Sequence, residues 1–205
     1  RSACMHPLLL RFFCEAFGNT DGAFISLGPV RDIRLKELFD EYFGNKMDQI
    51  RKFLHHQNSD AIANFLFKLV EHLYFTGSSS LSTYEIEEVT GYSDTSTQDS
   101  LYLRLLDEDI IIEEEPANVI EYRHIHFVYE EFMEYILAKS LLYRNKKLGF
   151  KNLQDVFQEL IDGVESWVNV RGTIEYLALI LLGSKIIKEV DQGFDLLKLL
   201  IKQGG

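Results

Sequence analysis

Two histidines, His124 and His126, stand just ahead of a long apolar run and are the side chains best placed to do chemistry. Imidazole can take up a proton, donate a hydrogen bond to an anion or ligate a metal. Residues two apart in a strand share one face, so the pair is expected to point the same way. Neither has partner ligands at metal spacing. The same holds for His55, His56 and His72, which read as surface positions. Glu130, Glu131 and Glu134 resemble paired catalytic carboxylates. Helical spacing puts them mostly opposite Phe132 and Met133, which predicts a solvated face rather than an acid–base pair. Cys4 and Cys14 lie in apolar surroundings with no second pair, and read as buried thiols of a reducing compartment. No stretch has the form GxxxxGK[ST], so the chain alone cannot hold and hydrolyse a nucleotide by a phosphate loop. No catalytic residue and no metal ligand is assigned.

The histidines sit where a strand is expected to run into a helix. Over 119–126, Val119, Tyr122 and Ile125 alternate imperfectly with Glu121, Arg123 and His124. Beyond it, Tyr129, Phe132, Met133, Ile136, Leu137 and Leu141 recur at spacings of three and four. Upstream, Ser82 to Glu85 forms a capping box that predicts a short helix to Thr90. A turn at 91–95, a helix over 96–109, a strand over 110–113 and a turn containing Pro116 complete the segment. Helix, helix, strand, turn, strand is the order of a winged helix.

The flanking segments are helical. Pro7 to Phe17 begins with proline in its first turn and carries so little polar face that burial nearly all round is expected. Residues 32–43 form a second helix, which Gly44-Asn45 either caps or lets run on to Leu54. Asn58 to Asp60 offers an N-cap for 61–75. Residues 155–161, 170–182 and 194–202 read as later helices. The expected fold is mainly α: a helical bundle (1–78), a winged helix (79–143) and a further helical bundle (144–205).

Composition narrows the function. At 46% hydrophobic and 13% aromatic over 205 residues, the chain folds. Its net charge of −11 opposes phosphate backbones and anionic membranes. The helix that would enter a DNA groove has Arg104 as its one basic residue, among Asp99, Asp107, Glu108 and Asp109. The wing is Glu113-Glu114-Glu115. A winged helix that faces protein rather than nucleic acid is expected. Arg11 and Glu15 interrupt the first apolar run, which argues against a secretory signal. Residues 176–182 are too short to span a bilayer. A cytoplasmic protein is expected, and the ends at Arg1 and Gly205 read as those of a piece of something longer.

Three ordered stretches carry a family resemblance. Residues 6–17, HPLLLRFFCEAF, resemble the "NPLLL" helix that follows the nucleotide core of NACHT-type STAND ATPases. Residues 38–51, LFDEYFGNKMDQIR, are similar to the "LYExYxxxKLxxI" helix that comes next there. Residues 126–132, HFVYEEF, are similar to the "HxxFQE(F/Y)" stretch ending that family's winged helix, with Tyr129 and Glu130 in place of the usual Phe and Gln. The core carrying Walker A and Walker B is absent. The resemblance implies a regulatory helical and winged-helix portion of an ATPase. It implies that Pro7 packs on the adenine, and that His126 contacts the β-phosphate of ADP and holds a closed state. ATP and ADP would be bound by the full-length parent, not by this chain alone. Exchange would permit self-association, with a foreign protein as a possible trigger, in innate immune or antiviral signalling. His124 is the rival phosphate contact. The reading from another class is an acidic winged-helix transcription regulator or protein-interaction adaptor.

Overall fold

The computed structural model describes residues 7–17, 35–53, 59–91, 101–115, 123–147 and 168–203. The expected helix at 155–161, the first residues of the 96–109 helix, and Cys4, His55 and His56 lie outside these. The chain divides into two compact units, Arg1–Gln57 and Asn58–Gly205.

The first unit pairs α1 (Pro7–Phe17) with α2 (Leu35–Phe53). Of the two expectations at Gly44-Asn45, the helix runs on. Leu38, Tyr42, Met47 and Ile50 are buried along it, and this stripe outweighs the roughly 1 kcal/mol helical cost of one glycine. Asn45 donates its side-chain amide to the Ala16 carbonyl at 2.9 Å, satisfying the end of α1. Phe12 packs into the α2 stripe, its ring centroid 4.3 Å from that of Tyr42. The expectation of an α1 buried all round is corrected. Phe12 and Ala16 are covered, but Leu10, Arg11 and Cys14 are exposed, because α2 covers one face. Cys14 is therefore a surface thiol, not a buried one.

The second unit contains α3 (Ser59–Thr76), β1 (Leu81–Ser82), α4 (Ile86–Thr90), α5 (Leu101–Asp107), β2 (Ile111–Glu114), β3 (His124–Phe127), α6 (Glu130–Lys147), α7 (Val168–Leu182) and α8 (Ile187–Gln203). The strands form one antiparallel sheet in the order β1-β3-β2. Its register pairs Leu81 with Ile125, Ile112 with His126 and Glu114 with His124. Helix, strand, two helices and a hairpin make a winged helix, so the mainly α class with a helix-turn-helix and β-hairpin holds.

Leu81 and Ser82 correct one expectation. They form a strand, and the helix starts only at Ile86. The Glu85 carboxylate accepts both the Ser82 N–H (3.2 Å) and the Ser82 hydroxyl (2.8 Å). The hydroxyl is then not available to cap a helix, and residues 82–85 close a turn instead. These hydrogen bonds hold the Glu85 carboxyl below its usual range. The start of α8 is also earlier than expected. Ser184 accepts the Ile186 N–H at 3.1 Å and ends the turn from which the helix begins.

The core of the second unit is centred on α6. Phe132, Tyr135, Ile136, Ala138 and Leu141 are all buried there. They pack against α3 and α7, and α7 packs in turn against α8. The end of α3 sets the direction of the next segment. Gly77 takes φ +65, the Ser78 N–H reaches the Leu73 carbonyl at 3.0 Å, and the Gly77 N–H reaches that of Tyr74 at 3.1 Å. This Schellman turn favours glycine at its left-handed position and leads the chain through Ser78–Ser80 into β1.

Candidate functional site

β3 places the two histidines. Ile125 and Phe127 are buried, whereas His124 and His126 point to the other face, as the alternation requires. His124 is exposed, with Nδ1 3.4 Å from the Ser80 hydroxyl. The His126 side chain is 24% exposed, and its Nε2 lies 3.8 Å from a Glu114 carboxylate oxygen on β2. That separation is too long for a hydrogen bond. It becomes an ion pair only when the ring carries a proton. Pro7 opens α1 in the first unit, so the two expected cofactor contacts belong to different units.

His126 borders a cavity of about 490 Å³ between the α3–β1 turn, the hairpin, α6 and α7. Polar residues of its lining include Tyr74, Ser78, Ser80, Glu114, Glu130 and Glu134. Among the described residues, no group of three or more His, Cys, Asp or Glu side chains is arranged to hold a metal.

Glu134 corrects the expectation of a solvated acidic face. It is only partly exposed, whereas Glu130 is exposed. Its carboxyl is raised to about 7, by burial first and then by the charges of Glu130, Glu131 and Glu175. Its carboxylate rests on Gly172 of α7, where any Cβ would overlap it. Tyr74 from α3 and Tyr176 from α7 face it, their hydroxyls held well above the usual range by burial first and by Glu134 second. Tyr129 is pushed up to about 12 by burial and then by Glu131. The sequence does hint at Glu134. It falls within a helix whose neighbours Phe132, Tyr135, Leu137 and Ala138 are all core residues. A side chain beside so wide an apolar arc cannot be fully solvated. Thr173 and Gly172 carry no comparable signal.

A consequence for stability follows. A carboxyl raised in the fold binds its proton there while the unfolded chain has lost it, so stability falls as pH rises from about 4.5 to about 7. Solvent reaches Glu134 in part and screens the effect, which leaves about 1–2 kcal/mol. Glu134→Gln is expected to remove that slope and to be the more stable protein at about pH 8. Urea unfolding at about pH 5 and pH 8 measures it, and parallel curves for the two proteins would rule out a strained Glu134.

The helix and hairpin that would meet DNA in a DNA-binding winged helix pair their charges with one another. The Tyr102 hydroxyl donates to Glu113, and Arg123 holds the other oxygen of that carboxylate at 2.8 Å. Arg104 is 3.1 Å from Asp107.

This chain matches no protein-family model, no curated protein and no solved structure. No described helix is long and apolar enough to cross a membrane.

Proposed function

We propose that this chain is the regulatory helical and winged-helix portion of a NACHT-like STAND ATPase, with His126 as its contact to the β-phosphate of bound ADP. The observation that carries the reading is the placement of His126. It lies one residue from the end of the central strand of a winged helix, four positions before the first residue of α6, partly exposed and with no hydrogen bond to its ring among the described residues. A strand-end imidazole so placed can donate to phosphate across a domain boundary.

Among the described residues, His126 is the one group this reading assigns to the phosphate. Glu114, Glu130 and Glu134 lie around His126 and make the cavity by itself hostile to an anion. The phosphate cradle and most of the base pocket must come from the nucleotide-binding core of the parent, with Pro7 packing on the adenine from the first unit. ATP and ADP are cofactors of that parent, in which this portion would link nucleotide state to self-association. A cytoplasmic role in innate immune or antiviral signalling, with a foreign protein as trigger, belongs to the same proposal. The test is ADP retention and basal activity of His126→Ala in the full-length parent.

The acidic surface argues against the rival reading as a DNA regulator. With Glu113, Glu114 and Glu115 at the wing and Arg104 beside Asp107, too few cations remain to hold phosphates in register. No sequence-specific duplex binding is expected at physiological salt. A mobility-shift titration checks this, and tight, salt-sensitive binding would favour the regulator.

A further inference from the structure

The apolar arc of α8 is wider than α7 covers. Leu196 is buried, and Gly193 backs onto α7 so closely that a Cβ would lie 3.1 Å from the Ala178 carbonyl oxygen. That approach fixes the rotation of α8 about its own axis. Ile187, Phe194 and Ile201 are left outside, 79%, 52% and 76% exposed. They recur every seven residues, and the half-buried Val190 and Leu197 fall three positions after the first two. The five side chains therefore alternate at spacings of three and four, the seam by which one helix packs along another. Single exposed apolar side chains are ordinary, but a line of them along one helix is a surface for a partner.

We infer that this seam receives α8 of a second copy of the chain, running antiparallel. The charges beside it select that occupant. Asp191 and Lys198, both exposed, directly follow Val190 and Leu197 and form one edge of the seam. Gly193 and Leu200 form the other edge and carry no charge. Antiparallel pairing brings like edges together, so Asp191 of each copy meets Lys198 of the other, twice by symmetry. Parallel pairing sets the charged edge against the uncharged one and gains no ion pair. Lys198 lies 2.9 Å from Asp195, but both side chains are exposed, and such a pair holds the lysine weakly. The net charge of −11 opposes self-association in general. α8 itself is balanced, with Lys188, Lys198 and Lys202 against Glu189, Asp191 and Asp195. At 1.5 Å per residue the helix is about 25 Å long, a narrow strip beside a standard interface, so a weak dimer results. The pairing goes beyond the proposed latch, because it needs neither nucleotide nor the parent's core.

Sedimentation equilibrium of the 205-residue chain tests the pairing. A monomer–dimer equilibrium with a Kd of about 10–100 µM is expected. Phe194→Glu puts a charge on the seam and should weaken the dimer by about tenfold or more. The ring is half exposed, so the thermal melt of the dilute variant should still show it folded. Asp191→Lys and Lys198→Asp each set like charges opposite one another at both sites, and each should weaken self-association about tenfold. Mixing these two variants restores both ion pairs, and their heterodimer should form about as tightly as the unaltered dimer. Three results would overturn the pairing: a chain that stays monomeric to about 500 µM, a dimer that survives Phe194→Glu, or two charge variants that associate no better mixed than apart. The first would leave the seam to a different partner.

Discussion

Replacing Tyr135 by alanine is expected to destabilise the second unit by about 3–5 kcal/mol. The ring is fully buried on α6. It stacks on Phe132 with centroids 6.1 Å apart and meets Tyr176 of α7 edge-on at 5.9 Å. The Lys139 ammonium lies 4.9 Å from its centre, a cation–π contact that the truncation also removes. Alanine leaves a void between α6 and α7 that their backbones cannot close without parting from α3 and α8. Each aromatic pair adds about 0.5–1.5 kcal/mol beyond its buried area, so the upper half of the range is favoured. Against a typical total of about 5–15 kcal/mol this is a large share. For a unit of this size it corresponds to a fall in Tm of about 10 °C. Tyr135→Phe keeps the ring and should lose only the hydroxyl's share, about 1 kcal/mol. Thermal melts followed by circular dichroism separate the two. A fall of under about 2 °C for alanine would mean that α6 and α7 do not pack through this ring.

In the full-length parent, His126→Ala is expected to release ADP faster and to raise activity in the absence of a trigger. The expectation rests on the proposed latch. A charge-assisted hydrogen bond from imidazole to phosphate is worth about 1.5–3 kcal/mol. Its loss shifts a closed-to-open balance by about ten- to a hundredfold. His124 provides the internal control. It shares the face of His126 but is exposed and lies beside Ser80, so His124→Ala should leave both readouts near those of the unaltered parent. The reverse pattern, with His124→Ala active and His126→Ala silent, would move the contact to His124. If neither variant differs from the parent, the histidines of β3 have no part in holding nucleotide.

What the sequence determined by itself was local. Period and spacing located α1, α3, α6 and α7, and the order of helices and hairpin identified the winged helix, because both depend on neighbours within a few positions. Strand alternation put His124 and His126 on one face for the same reason. A strand as short as Leu81–Ser82 has no period to detect, and β3 alone makes it one by pairing with it. The exposure of Cys14 depended on how much of α1 its partner helix covers. Glu134 is the clearest case of a property that only the tertiary structure decided. Its sequence neighbours Glu130 and Glu131 suggested a solvated acidic face, and they do contribute to its raised carboxyl. The largest cause is burial, and Glu175, Gly172 and Tyr176 reach it from α7 and Tyr74 from α3. Desolvation and Coulomb interaction depend on distance in space, and no local pattern records which distant residues a helix will meet when it packs.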